Sequence, residues 1–433
     1  MKDQIIALIK KEVVPALGCT EPIAVALAVA RACELLRSEG FEPERLEAFV
    51  SANILKNGMG VGIPGTGMVG LHIAVALASV CGKSEYKLEV LKDLDAAAVA
   101  RAKEIVRAGA VKIALADNDE KLYILAAAVS GSHRAEAVVS GSHDTITSLS
   151  FDGKSIDCGE TAAAELSTEA DGSHVDPDLA RNITVRQIFD FALRTPLEEL
   201  EFLMDSVKLN RALSDEGLTH NYGLKIGKTI LSDGHKSVYG NSILTYAMAR
   251  TAAASDARMA GCTLPAMSNS GSGNQGITVT VPVIAVAEKT GATHEQLVRA
   301  LAIAHLVAIH IKGHLGKLSA LCGCVIASTG ASCGIVYLRG GGYEQICSAV
   351  KNMIGNITGM VCDGAKEGCA MKVASGVACA MQSSVLALDN ICISSNDGII
   401  EDDIEKTVAN LGRIGSIGMQ KTDEMILDIM ICK

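Results

Sequence analysis

Tryptophan is absent from the 433 residues, and aromatic residues of every kind make up only 3%. A chain that is nevertheless 49% hydrophobic must fill its interior with Ala, Val, Ile and Leu. Small side chains of this kind let helix axes approach closely, so tightly packed helices are expected. Basic runs are also lacking: 39 Lys and Arg stand against 49 Asp and Glu, for a formal charge of −10. That balance argues against nucleic acid and anionic membrane as partners. No apolar run reaches the roughly 18 uninterrupted residues that a bilayer-spanning helix needs; Arg31, His305 and His310 break the longest candidates. The opening MKDQIIALIKKEVVP has charges inside its apolar part and no small-residue cleavage site, so no signal peptide is expected. Fourteen cysteines without a secretion signal point to a reducing cytoplasm, where thiols serve metals, catalysis or the core. A mean hydropathy of +0.30 suggests that another subunit covers some of the surface.

The length has room for two to three domains. Residues 3–15 carry helical apolar spacing (Ile5, Ile6, Ile9, Val13) and stop at Pro15. GCTEP follows at 18–22, where Thr20 reads as an N-cap and Pro22 as a first-turn residue of a helix running to about Ser38. Cys19 then lies at a helix N-terminus, where orphan N–H groups and the dipole favour a thiolate. KNGMGVGIPGTGMVG holds six glycines between Gly58 and Gly70, a loop built for tight turns or close approach to a ligand. Between about 84 and 170 the texture changes. YKLEVL, VKIALA, KLYILAAAVSG, HRAEAVVSG and TITSLSFDG read as strands and DAAAVARAKEIVRAG as a helix, giving one antiparallel sheet with a helix on one face. The repeated SGSH at 130–133 and 140–143 reads as two hairpin turns, and residues 168–182 read as a linker. The fold class is therefore α+β. A mainly helical domain (1–83 and 171–433) is interrupted by a small inserted α+β domain (84–170).

Chemistry concentrates in two glycine-rich regions. SNSGSGNQG at 268–276 could aim N–H groups and hydroxyls at a carboxylate or phosphate, with Ser270, Gly271, Ser272, Gly273 and Asn274 as the contacts. GxGxxG occurs at Gly65-Gly67-Gly70 and at Gly271-Gly273-Gly276. A nicotinamide-dependent oxidoreductase is thus a rival reading, although neither site follows an obvious sheet strand. Cys33, Cys81, Cys347, Cys379 and Cys392 lie in apolar segments and read as small core residues. Cys362 and Cys369 instead flank the polar stretch Asp363-Gly364-Ala365-Lys366-Glu367-Gly368, where no core is being filled. With Cys322 or Cys324 they supply three thiolates from two loops, a pattern closer to an iron–sulfur cluster than to paired CxxC zinc sites.

GCTEP, KNGMGVGIPGTG, SNSGSGNQGI, KGHLGKLSALCGC with ASCGIVYL, and CDGAKEGC together resemble the L-cysteine desulfidases of the serine dehydratase α-chain-like family, the UPF0597 group. The resemblance covers essentially the whole chain. It implies a [4Fe–4S] cluster on Cys322, Cys362 and Cys369 with one open iron, Cys324 standing two residues from the first ligand. It implies that L-cysteine is cleaved by β-elimination to pyruvate, ammonia and sulfide, with Cys19 as the base. The 270–274 loop would hold the carboxylate and Asn57 would assist. Relatives acting on L-serine lack GCTEP, which favours cysteine; an L-serine dehydratase is the nearest alternative. The insert would correspond to a β-chain-like α/β sandwich domain, and the assembly would be a homodimer.

Overall fold

Two helices packed almost backbone to backbone form the centre of the molecule, His294–Leu315 and Gly323–Leu338. Gly330 and Gly334, one turn apart, face the partner helix directly. A Cβ on Gly330 would lie 2.3 Å from the Ala304 carbonyl oxygen, and one on Gly334 2.8 Å from that of Ala300. Glycine costs a helix about 1 kcal/mol relative to alanine, and it is present here because nothing larger fits. Gly273–Thr290, Tyr343–Ile357 and Cys369–Leu388 pack on this pair, and Ile243–Met259 lies outside them against the first and the third. One apolar core runs through the central pair and the three helices packed on it and draws in the N-terminal helix Lys2–Glu12 by Ile5, Leu8 and Ile9, whereas Ile243–Met259 is held by smaller clusters.

The computed structural model describes residues 1–118, 120, 122–157, 176–316 and 319–432. Within them the fold is α+β, mainly helical with one substantial sheet. Two helices, His294–Leu315 and Cys369–Leu388, are long and apolar enough to cross a bilayer. However, 72% and 50% of their apolar windows are buried inside the fold, as core helices are.

The six-stranded sheet has the order Val111–Leu115, Arg45–Val50, Tyr123–Ser130, His133–Ser140, Ile146–Phe151, Lys154–Ile156. It corrects the sequence reading in three ways. Arg45–Val50, upstream of the expected boundary at 84, is its second strand. That strand runs parallel to Val111–Leu115, so the sheet is mixed. YKLEVL is not a strand: Ser84–Glu89 coils as a 3₁₀ segment that buries no residue, so its alternating pattern has no sheet to face. The first SGSH is a hairpin turn as expected, with Gly131 at φ +55°, and His133 opens the next strand stacked on Phe41 at 4.0 Å. Asp119 and positions 168–175 of the expected linker lie outside the described residues.

Thr20–Ser38 packs against the sheet through Ala24, Ala28, Ala32 and Leu36. Leu71–Cys81 lies beside it.

Gly330→Ala should destabilise the protein by about 1–3 kcal/mol, because overpacking outweighs the gain in helix propensity. Gly359→Ala, at a position with nothing within 4 Å, should shift stability by less than about 0.5 kcal/mol. Midpoints of urea unfolding check both.

Candidate active site

Three very short backbone pairings bring distant loops together. Pro15–Ala16 pairs antiparallel with Ala266–Met267. Beyond it, Ser268 donates from N and Oγ to the Val14 carbonyl at 2.8 and 2.6 Å, and the Ser270 amide donates to Glu12 O at 2.9 Å. Gly60 bridges Lys366, linking the first glycine loop to the Cys362–Cys369 loop. Leu321 bridges Val361, with Cys322 N donating to Met360 O at 3.0 Å and Cys362 N to Ala320 O at 2.6 Å. Gly364, at φ +90°, presses on Lys56: a Cβ there would lie 2.1 Å from the Lys56 carbonyl oxygen.

These pairings gather the thiols. Cys322 is the N-cap of Gly323–Leu338, and Cys369 is the first residue of Cys369–Leu388. Burial pushes the Cys322 thiol up to about 12, and the nearby Cys362 and Cys369 push in the same direction. Burial also raises Cys369, with Cys362 adding to it. Cys324 turns elsewhere: its Sγ donates to the Lys372 carbonyl at 3.1 Å and rests on Gly376, where a Cβ would lie 2.5 Å away. Cations border the thiols. Lys372 donates to Val361 O at 3.0 Å and pairs with Asp363, which Lys366 also approaches at 3.2 Å. Burial lowers the pKa of Lys312, against the upward pull of Cys362 and Glu12. Among the described residues no three His, Cys, Asp or Glu side chains converge as around a single ion. A cluster gives each thiolate its own iron, so it needs thiols along one rim rather than around one point. Cys322, Cys362 and Cys369, flanked by lysines, fit that donor set. Of the remaining cysteines, Cys33 and Cys333 are buried and Cys81, Cys347 and Cys379 half-buried. Cys392 is exposed, against expectation, because it lies past the end of Cys369–Leu388.

Cys19, not Thr20, is the N-cap of its helix. The thiol is 8% exposed and packs with Val61 and Met259 against Ala365 and Cys369. Its Sγ donates to Glu21 Oε2 at 2.9 Å. The expected drift toward thiolate is absent. Burial, then the Glu21 carboxylate, push the thiol well above its ordinary value, against a smaller downward pull from Arg258. A helix N-terminus contributes about 0.3–1 kcal/mol, less than desolvation takes away at such a site.

In the second glycine loop, Ser270 (φ +48°) and Gly271 (φ +77°) form a turn closed by reciprocal Asn269–Ser272 backbone bonds at 3.1 Å. Ser270 Oγ donates to Asn269 Oδ1, and Ser272 Oγ accepts from Gln275 N. The amides of Gly273 and Asn274, in the first turn of Gly273–Thr290, keep no protein acceptor among the described residues. Asn57 is half-buried in Ala52–Gly58 and makes no side-chain hydrogen bond among the described residues. Neither GxGxxG joins a strand of the main sheet to a helix. Gly65 and Gly67 turn a two-residue hairpin, Gly62–Ile63 with Met68–Val69, and the second motif follows the pair at 266–267.

Sequence reasoning missed three residues. Buried Asn269 braces the turn: its Nδ2 lies 3.1 Å from His305 Nδ1 and donates to the His305 carbonyl at 3.3 Å, while its Oδ1 accepts from Gln275 Nε2 at 2.8 Å. Burial depresses the pKa of His305 to about 3, so the ring is neutral. Arg258, 6% exposed, donates from Nη2 to Gly18 O at 2.7 Å and from Nη1 to Asn274 Oδ1 at 3.5 Å. The only sequence signal for it is a charged residue in an alanine-rich helix. A separate cavity of about 440 Å³, lined by Asn53, Lys56, Ala320, Met419 and Asp423 among others, contains none of the thiols or Arg258.

The fold is mainly helical α+β, with thiols presented on paired glycine-rich loops. Residues 85–428 match the family described as serine dehydratase alpha chain. The UPF0597 protein of Bacteroides thetaiotaomicron is 48% identical over 433 residues, covering all of this chain and 98% of the relative. The Phocaeicola vulgatus protein is 49% identical, with the same coverage. That of Oleidesulfovibrio alaskensis is 47% identical over 99% of this chain and 97% of its own. The chain belongs to the UPF0597 group of the serine dehydratase α-chain-like family.

Gly364→Ala should destabilise the fold by about 2–4 kcal/mol, from strain at positive φ together with overpacking. Hydrogen exchange should quicken at the amides of Cys362 and Cys369; unchanged exchange there would show that Lys56 does not hold the loop.

Proposed function

We propose that the protein is an L-cysteine desulfidase, converting L-cysteine and water to pyruvate, ammonia and sulfide. The observation that carries this reading is the contact between the buried Cys19 thiol and Cys369, which puts a candidate base beside the thiol-bearing loops. Cys322, Cys362 and Cys369 would hold a [4Fe–4S] cluster. When bound, the cluster supplies a Lewis-acidic iron for the substrate's leaving sulfur. Cys324, committed to the Lys372 carbonyl, supports Cys322 as the ligand.

Cys19 gives its proton to Glu21, whose carboxylate already accepts the S–H, and then takes the α-proton from the substrate. The electron pair left on Cα forms the Cα–Cβ double bond as the C–S bond breaks. Sulfide leaves, and the aminoacrylate product tautomerises and hydrolyses without further help from the protein. The free amides of Gly273 and Asn274 receive the substrate carboxylate, and Asn57, at the start of the first glycine-rich segment, assists. The GCTEP motif favours cysteine over serine. A cytoplasmic homodimer belongs to the same reading, and exposed Ile417, Met425 and Ile429 near the C-terminus suit a covered surface.

Anaerobically purified protein should contain iron and sulfide and should release sulfide from L-cysteine, with a higher kcat/KM than for L-serine. Turnover of cysteine by iron-free protein would refute the cluster's role. Cys19→Ala should lower kcat by about 10²–10⁴-fold with the iron content unchanged; activity near wild type would remove Cys19 as the base. Cys322→Ser should lose iron, whereas Cys324→Ser should retain it, and iron counting distinguishes the two.

A further inference from the structure

Arg258 is a buried cation without a counter-ion among the described residues. It is 6% exposed, its Nε has no partner, and among the described residues no carboxylate pairs with it. A guanidinium carries more N–H donors than its contacts to Gly18 O and Asn274 Oδ1 use. Leaving such a group unpaired inside a protein is costly, and buried charges are ordinarily paired. Its position in the last turn of Ile243–Met259, at the negative end of the helix dipole, offsets only part of that cost.

The surroundings show what would complete it. The guanidinium lies directly on Gly273, where a Cβ would sit 2.2 Å from Nε, so only glycine permits this position. Gly273 and Asn274 present acceptor-free amides at the start of an 18-residue helix. The Asn274 contact is long at 3.5 Å, and the loop reaches solvent: Gly271 is exposed and Ser270, Ser272 and Asn274 are half-buried. Cys19 lies on the other side, next to Gly18, and feels the charge of Arg258. The vacancy in hydrogen bonding thus faces amides that also want an anion, with the candidate base alongside.

We propose that Arg258, together with the Gly273 and Asn274 amides, is the receptor for the α-carboxylate of an amino-acid substrate. It sets the position of the substrate's α-carbon relative to Cys19. This deepens the function proposed above and rests on its substrate being an α-amino acid. A planar guanidinium matches a carboxylate in two parallel hydrogen bonds, which a lysine ammonium cannot reproduce.

The test compares carboxylate with carboxamide ligands. L-Alanine and L-alaninamide have no β leaving group, so calorimetric titration of the full-length, anaerobically prepared protein reads binding apart from turnover. Wild type should bind L-alanine about 10- to 100-fold tighter than L-alaninamide, the range of a charge-assisted hydrogen bond. Arg258→Gln should bind the two equally, and Arg258→Lys should fall between. Gly273→Ala keeps the charge but displaces the guanidinium. It should lose the preference as well, which keeps the test decisive if Arg258→Gln fails to fold. In parallel, Arg258→Gln should lower kcat/KM about 100-fold for L-cysteine while leaving L-cysteinamide nearly unchanged. Preference for the carboxylate retained in the variants, or absent from wild type, overturns the assignment. An equal loss for cysteine and cysteinamide also overturns it, since an effect confined to Cys19 would produce that result. Absence of sulfide release by wild type would instead sink the desulfidase reading, and the alanine titrations would still decide on Arg258.

Discussion

Irregular backbone buried inside a protein must find partners for its N–H and C=O groups, and here the irregular segments find them in one another. The loop before Cys19 pairs with the loop before Ser270, Gly60 with Lys366, and Leu321 with Val361. None of these pairings exceeds two residues, so none would persist alone. They hold because they are mutually braced and because glycine occupies the contacts where a Cβ would collide, as at Gly364 against Lys56. Residues separated by most of the chain therefore form a single unit. A shift in one loop is transmitted to the others through backbone contact, without a soft side chain to absorb it.

Within that unit, identical residue types acquire different properties from their neighbours. Cys322 lies among other thiols with a lysine nearby, Cys324 is tied to a helix carbonyl, and Cys19 donates to a carboxylate. Burial raises the pKa of all three thiols. Fixed cations stand at the border: Lys372 by the thiols and Arg258 by Cys19. A metal bound by these thiols would release their protons, and the flanking cations would favour the negative charge that results.

What could be read from the sequence was local. The helix Thr20–Ser38, the strands Tyr123–Ser130 and His133–Ser140 with the turn between them, and the glycine loops all carry their signals within a few residues. The cap was misplaced by one residue, an ordinary uncertainty at helix ends. Arg45–Val50 was missed as a sheet strand because its partners begin more than sixty positions downstream, at Val111 and Tyr123. The Cys19 thiolate was misjudged because a helix dipole can be inferred from sequence, whereas desolvation depends on packing. Arg258 was invisible for the same reason: in TAAASDARMAG it looks like a solvated charge on a helix, and only the tertiary structure seals it against Gly18 and Gly273.

The sheet contributes no residue to the site, yet it bears on it through one helix. Thr20–Ser38 has Cys19 at its N-terminus and is buried along nearly its whole length, with Ala24, Ala28, Ala32 and Leu36 in the apolar layer shared with Ala126, Ala128, Ala135 and Ala137. Alanine on both sides of that layer brings helix and sheet close and leaves little slack for the helix to slide. Because Arg45–Val50 is an interior strand, the segment following the helix is locked into the same sheet. The position of Cys19 relative to Cys369 and Arg258 is therefore fixed from two directions. The glycine-loop pairings fix it on the side of the helical body, and the alanine layer fixes it from behind.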